Sequence, residues 1–521
     1  MDTTRTSVAG QPEIWSGASA GVRLRLPPDQ VKHFVLLSNH ELHYATLPTD
    51  ITLLSLVEEI RHQLGFDPTL VQSLAQNIAR IYDEFGDAAT AHTRGGTKMQ
   101  DSGRQRAMVR YLRNAIDMKA TDLDIIIGRK SADLRLQVLG DWLKPTASVS
   151  REEGFALVTS LIETMSLSVE GGFVEKRRQD ARLRDEYVSE LGIYGARIAT
   201  SPTSEGHVTT IRLLHDSGLA DLSFLDLGYN DRQAAILESW TTHTDGGLHL
   251  LSGPTAVGKS RSLKTFCERV SANANHLIKL ITLEDPVESK IAGAIQIGLD
   301  NFDKYDEASI AAEWNRGLRQ SLRMTPKWIV PGEIRDGASA VTTINAATTG
   351  HAAISTLHVL RWDMCLDRLA ALGVPDFLLT DAGLIRGLSN QSLARVLCPH
   401  CKESWSDRAP HLFTEDRDLI EAHCDIGNIY FRGEGCPHCK GLGVMARTVV
   451  AEVADLDEGL MEVYQAHGAL AMRREWAQQR AGITKRQHMI DKINAGMLDP
   501  LLSQRDVVSL RADDILGTVR R

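Results

Sequence analysis

Residues 253–260 read GPTAVGKS and follow directly on the apolar run LHLLS at 248–252. A strand that ends in a glycine-framed loop and then meets Lys-Ser is the context in which backbone N–H groups cradle phosphates. Gly253 and Gly258 let the chain curl, and Pro254, Thr255, Ala256 and Val257 complete the loop. Lys259 is placed to reach the β- and γ-phosphates, and the Ser260 hydroxyl to ligate Mg²⁺. The stretch predicts a nucleotide site. It leaves open whether the energy serves switching, unwinding, phosphorylation or mechanical work.

Outward from the loop, between about 229 and 395, short runs rich in Leu, Ile and Val alternate with helical stretches: LHLLSG, KLITLED, WIVPGE and AAISTLH. They end in polar or acidic residues, the pattern of buried parallel strands with functional groups at their carboxyl ends. The segment LEDPVE (283–288) gathers Glu284, Asp285 and Glu288 at the end of a strand expected to neighbour that of the loop. Three carboxylates there suit a Mg²⁺ held through water and a polarised attacking water; the plainer alternative is a solvated acidic turn. In WIVPGEIRD (328–336), Glu333 lies near the tip of a third strand, with Arg335 and Asp336 behind it. Pro331 lacks a ladder N–H, so pairing is expected to stop there. In TGHAAISTLH (349–358), His351 and His358 bracket a short strand.

The bulk numbers fit a multidomain globular protein. Of 521 residues, 43% are hydrophobic and 24% charged, enough for a real core. The net charge of −9 opposes a main role in gripping DNA or RNA, which favours a basic surplus. No run of about 18 apolar residues occurs, so no membrane-spanning helix is expected. The start, MDTTRTSVAGQPEIW, lacks an apolar signal core and reads as mature as written. Seven cysteines without such a signal point to a reducing compartment, where paired cysteines bind metal more often than they oxidise.

Four of the cysteines form two CPHC knuckles, Cys398 with Cys401 and Cys436 with Cys439, across a 34-residue insert. Four thiolates in this arrangement suit a closed tetrahedral Zn²⁺ site of structural type. A redox CxxC does not normally come as a duplicate pair. His400 and His438 are read as flanking or exposed, and Cys424 as a spare.

The rest divides as follows. Residues 1–92 read as a small mixed module, with Asp67-Pro68 as a helix start followed by Val71, Leu74, Ile78, Tyr82 and Phe85 at helical spacing. A linker is placed at 92–106. Residues 107–228 read as mixed α/β, with DLDIIIGRK and DLRLQVLG as strands and 196–214 as a hairpin. The loop-bearing domain spans 229–395, the cysteine module 396–454 and a polar helical region 455–521.

The four boxes GPTAVGKS, LEDPVE, GEIRD and TGHAAISTLH, in this order, resemble those of the secretion and pilus-assembly ATPases that power type II secretion and type IV pilus biogenesis. The likeness covers roughly residues 107–455. It implies a RecA-like P-loop ATPase core, a mixed α/β, PAS-like N-terminal subdomain, a small tetracysteine zinc module and a helical C-terminus. It places Arg197 and Arg212 (in ARIATSPTSEGHVTTIRLL), and Arg319 and Arg323 (in LRQSLR), on two arginine pairs that approach the nucleotide, some from the adjacent subunit. It also implies ATP and Mg²⁺ as cofactors, a cytoplasmic homohexamer, and peripheral association with the inner membrane through a platform protein. Glu333 or Glu284 would position the water or the metal, and the residues do not separate the two. The four-cysteine module resembles that of assembly and secretion members rather than retraction motors.

Departures are local. Ala256-Val257 stand where the family usually has Gly-Ser, Arg261-Ser262 where it has Thr-Thr, and Thr325-Pro326-Lys327 where it has Asp-Pro-Asp. The rivals are a retraction or conjugation motor of the same superfamily, a DNA translocase, and a nucleotide-binding scaffold without turnover. Lack of interleaved basic and aromatic residues speaks against the translocase.

Overall fold

The computed structural model describes residues 15–17, 23–26, 34–44, 50–72, 78, 103–168, 172–215, 222–243, 245–299, 307–513 and 516. The chain forms two compact units, residues 1–106 and 107–521.

In the first unit, strands Phe34–Leu36, Glu41–Tyr44 and Thr69–Gln72 form one sheet, and helix Asp50–Leu64 contributes Leu56 and Ile60 to its core. The expected helix does not start at Asp67-Pro68: Thr69–Gln72 pairs parallel to Glu41–Tyr44, and Ile78 is helical. A local cap signal yields here to a ladder and to β-branched Thr69 and Val71. Ile78 is buried, whereas Leu74, Tyr82 and Phe85 lie outside the described residues.

Helix Gly103–Asp117 leads into the second unit, and its Met108, Leu112 and Ala115 are buried at helical spacing. It covers an antiparallel sheet in which Gly195–Pro202, His207–Leu214, Asp122–Ile127 and Ser131–Val138 are consecutive neighbours. Ser131–Val138 alternates, burying Ala132, Leu134, Leu136 and Val138. The register sets Arg197 directly opposite Arg212, and Arg212 opposite Asp122.

The core sheet has seven strands: β1 (Gly247–Ser252), β2 (Leu280–Glu284), β3 (Ala294–Gly298), β4 (Trp328–Pro331), β5 (Ala352–Leu357), β6 (Ile385–Leu397) and β7 (Val444–Asp455). Their spatial order is β3-β2-β4-β5-β1-β6-β7, parallel except for the antiparallel last pair. Both faces are covered. Leu250, Ile329 and Ala353 face one cluster with Trp314 and Trp362, while Leu251, Val330 and Ile354 face another with Phe266 and Trp328. Continuous apolar runs are what two covered faces demand. Pairing of β4 ends at Pro331, opposite Leu283.

Two expectations change. β4 and β5 lie between β1 and β2, so the acidic box is not on a neighbouring strand; in a doubly wound sheet chain order does not set spatial order. The core sheet also runs beyond residue 395, taking in β6 to Leu397 and reclaiming 444–455 as β7. The knuckles therefore sit where these two long strands end. Helices Glu458–His467, Ala469–Gln479, Lys485–Asn494 and Pro500–Asp506 follow. Among the described residues no helix is long and apolar enough to cross a membrane.

Candidate functional site

The loop joins β1 to helix α1 (Lys259–Asn273). Gly253 has φ +146° and Gly258 φ +84°, backbone conformations that favour glycine. A Cβ on Gly253 would lie 2.5 Å from the carbonyl oxygen of Gln391 on β6, so the loop rests directly on that strand. Pro254, Thr255, Ala256 and Ser260 are exposed, whereas Lys259 is buried.

Lys259 Nζ donates to the carbonyls of Gly253 (2.8 Å) and Pro254 (2.7 Å) and lies 3.4 Å from His358 Nδ1. Burial pushes the ammonium down to about 8. His358 Nε2 sits 3.3 Å from Glu333 Oε2. Burial, with Lys259 and Arg335 nearby, lowers the imidazole below its ordinary value, and the two partners select the tautomer whose Nδ1 accepts from Lys259 and whose Nε2–H faces Glu333. Glu333 is also held by Arg335, whose other arm lies 3.5 Å from Asp285. One chain of polar side chains thus runs Lys259, His358, Glu333, Arg335, Asp285, bringing the phosphate loop to the acidic box.

The backbone fixes Glu333 firmly. Gly332 N donates to Leu283 O, Ile334 N to Thr356 O, and the Thr356 hydroxyl to Gly332 O. Glu284 faces elsewhere: its Oε1 accepts from Thr282 at 2.6 Å and Gln296 at 3.0 Å. Glu288 meets Arg197 of the N-terminal subdomain at 3.3 Å. Burial lowers the Arg197 guanidinium below its ordinary value, against the pull of Glu288 and Asp285. Arg212 pairs with Asp122 at 2.9 Å within its own sheet.

Like Arg212, three more expected residues are not brought to the loop. His351 lies at the opposite end of β5 from His358, where it meets the Thr349 hydroxyl and the Ala346 carbonyl. Six strand residues span about 20 Å, so both histidines cannot serve one site of this chain. Arg319 and Arg323 are exposed; Arg319 lines a groove with Leu322, Val341 and Thr342. Among the described residues no side-chain bond joins either arginine to the loop. Arg335 was missed as a site residue, although its place between Glu333 and Asp336 was a visible signal.

The four cysteine sulfurs lie within 4.8 Å of one another. The pairs Cys398–Cys436, Cys401–Cys439 and Cys436–Cys439 are each 3.8 Å apart. A tetrahedron with Zn–S bonds of about 2.3 Å has edges of about 3.8 Å. Burial opposes ionisation of Cys439, but the N–H groups of Cys436 and Gly443, which donate to its sulfur at 3.2 and 3.1 Å, bring its thiol below the ordinary value. The donor set fits zinc.

Fold and site together define a RecA-like P-loop core with an α/β N-terminal subdomain, a tetracysteine module and a helical C-terminus. The sequence matches the family described as type II/IV secretion system protein over residues 98–507, and the chain belongs to that family. It is 30% identical over 393 residues to the type II secretion system ATPase E of Vibrio cholerae, covering 74% of this chain and 72% of that one. It is 31% identical over 310 residues to the type IV pilus assembly ATPase TfpB of Acinetobacter baylyi, covering 57% and 48%. The ATPase DotB of Legionella pneumophila shares the fold, with TM-score 0.53 and 17% identity over 79% of this chain and 96% of that one.

Proposed function

We propose that this chain is an ATP hydrolase that works as a cytoplasmic homohexamer at the inner membrane. It would drive assembly of a type IV pilus or a type II secretion pseudopilus through a platform protein. The observation that carries this reading is the unbroken chain from Lys259 through His358 and Glu333 to Arg335 and Asp285. The family and the names of its relatives support the assignment. Residues 1–92 are proposed as the docking module.

ATP would seat its phosphates against the loop N–H groups, displacing Lys259 Nζ from the two carbonyls it now holds. Ser260 and Glu333 offer the oxygen donors that Mg²⁺ prefers, and the ion would neutralise charge on the β- and γ-oxygens. Glu333 is the candidate for positioning the attacking water. Glu284, held by Thr282 and Gln296, is the weaker one. Arg197 reaches the acidic box from the N-terminal subdomain, so closure of that subdomain would deliver positive charge to the site, a contribution worth about 10³–10⁵ in rate where an arginine meets the transferring phosphoryl group. Arg212, Arg319, Arg323 and His351 would act across subunit boundaries. Zinc on the four cysteines would be structural.

Phosphate release by the purified protein tests the reading. Lys259→Ala should abolish hydrolysis and leave the fold intact; Glu333→Gln should bind ATP but not turn it over. Parental turnover in Lys259→Ala would refute the site. Stimulation by DNA would instead favour a translocase.

A further inference from the structure

Behind the phosphate loop, three buried side chains that none of the boxes contains join into one hydrogen-bonded chain. Gln391 on β6 donates from Nε2 to the carbonyl of Val257 at 2.8 Å. The Tyr229 hydroxyl lies 2.8 Å from Gln391 Oε1 and 3.1 Å from the Ser262 hydroxyl. A phenol has one proton. It serves the closer Gln391 oxygen, and Ser262 then donates to Tyr229. Gln391 is 0% exposed, Ser262 1% and Tyr229 3%. The direction of every bond is therefore set: Ser262 to Tyr229, Tyr229 to Gln391, Gln391 to Val257.

That direction matters because a trans peptide points its C=O and the following N–H to opposite sides. With the Val257 carbonyl turned toward β6, the N–H of Gly258 must face the other way, into the concave side of the loop where phosphate oxygens would lie. Gly258, at φ +84°, leaves this peptide free to rotate unless something holds it. Gln391 holds it, and Tyr229 holds Gln391: without the phenol the amide has no fixed sense, and a flipped amide would set its oxygen against the Val257 carbonyl.

We propose that Gln391 and Tyr229 are positioning residues for nucleotide binding, which fix the Val257–Gly258 peptide so that its N–H addresses the phosphates. The proposal rests on the nucleotide-site reading of the loop.

The loop grips phosphates in the ground state and the transition state alike, so its loosening raises KM and leaves kcat alone. The test uses full-length protein, a fluorescent methylanthraniloyl-ADP probe, ATP turnover and a melting curve. Gln391→Met should weaken probe binding and raise the KM for ATP by about tenfold, with kcat within about twofold of the parent, as expected for one lost buried hydrogen bond. Tyr229→Phe should shift both the same way by about threefold. Lys259→Ala is the control. If the parent binds probe and only Lys259→Ala loses it, with both variants melting near the parent and binding as it does, the proposal is overturned while the site reading stands. A fall in kcat at unchanged KM would also overturn it. If the parent itself binds no nucleotide, the site reading falls and takes this inference with it. Should Gln391→Met fail to fold, Tyr229→Phe decides alone, because its ring still packs against Phe224.

Discussion

At Lys259 two demands conflict. The ammonium must be charged to meet a phosphate, yet it is buried under the loop, and desolvation favours the neutral amine. With its value pushed down to about 8, the group is mostly protonated at pH 7 and loses its charge as pH rises through that value. Affinity for a nucleoside diphosphate should hold steady from neutral pH downward to where phosphate itself protonates, and should fall above pH 8. Because a bound phosphate restores the charged form, binding at about pH 8.5 should take up protons. Calorimetry in buffers of different ionisation enthalpy reads that uptake directly. Lys259→Met should show weak binding with no such uptake, and equal uptake in both proteins would assign the proton elsewhere. Residue spacing held part of this site in plain view. The Lys-Ser pair was legible from the glycine-framed loop that follows an apolar run, and Glu333 and His358 because each lies at the end of one. The strand length between His351 and His358 already implied that they sit about 20 Å apart. Gln391 was not legible: it lies inside a strand that reads as core, and nothing local marks a polar residue whose partners are about 130 and 160 positions away.

At the scale of the element, strand β6 shows how one small residue sets a packing. Gly387 lies opposite His249 of β1, and a Cβ there would come within 2.3 Å of the Trp240 ring. Trp240 is fully buried and donates from its indole to Asp455 at the end of β7. Gly387→Ala would have to push this ring or the strand aside. Overpacking of this kind costs about 1–3 kcal/mol, so the melting temperature should drop by several degrees; a parental melting curve would mean that the tryptophan has room to move. The other end of the β6–β7 pair is closed by the four cysteines. Cys401→Ser, or a strong chelator, should release zinc, and amide exchange should quicken first at 394–404 and 436–448, where the two strands lose their common clasp. Strand existence was readable from composition because both faces are covered. Strand order and the extension of the sheet into 444–455 were not, since an edge strand reads like any other apolar run. The Thr69–Gln72 strand was misread for the converse reason: Asp-Pro is a strong local signal, and only its pairing with Glu41–Tyr44 overrides it.

Among the described residues of the 107–521 unit, ionic contacts at two places bind the N-terminal subdomain to the core. Arg197 meets Glu288 at the acidic box, both side chains half exposed. The turn at 139–141 carries the second. Asp141 is held by Arg395 of β6 and lies 2.6 Å from Arg432 in the cysteine insert, while Arg395 also grips both oxygens of Asp506 at the end of helix Pro500–Asp506. Four segments distant in sequence meet there, beside a cavity lined by Ala256 and Val257 of the phosphate loop. Asp141 is the one member of this cluster contributed by the subdomain, so its removal tests what the latch does. In Asp141→Asn, Arg395 keeps Asp506 and Arg432 keeps the Leu442 carbonyl, leaving no bare buried cation and a modest loss, on the order of 1 kcal/mol for a partly exposed pair. The cost should be local. Amide exchange should rise several-fold in 131–150, where the turn leaves its strand, while helix α1 and strand β1 exchange as before. Arg197→Gln should leave 131–150 quiet, because Arg197 lies on a strand three places along the sheet from Ser131–Val138. If Asp141→Asn leaves exchange in 131–150 unchanged, the latch carries no load, and the subdomain is held by its other contacts.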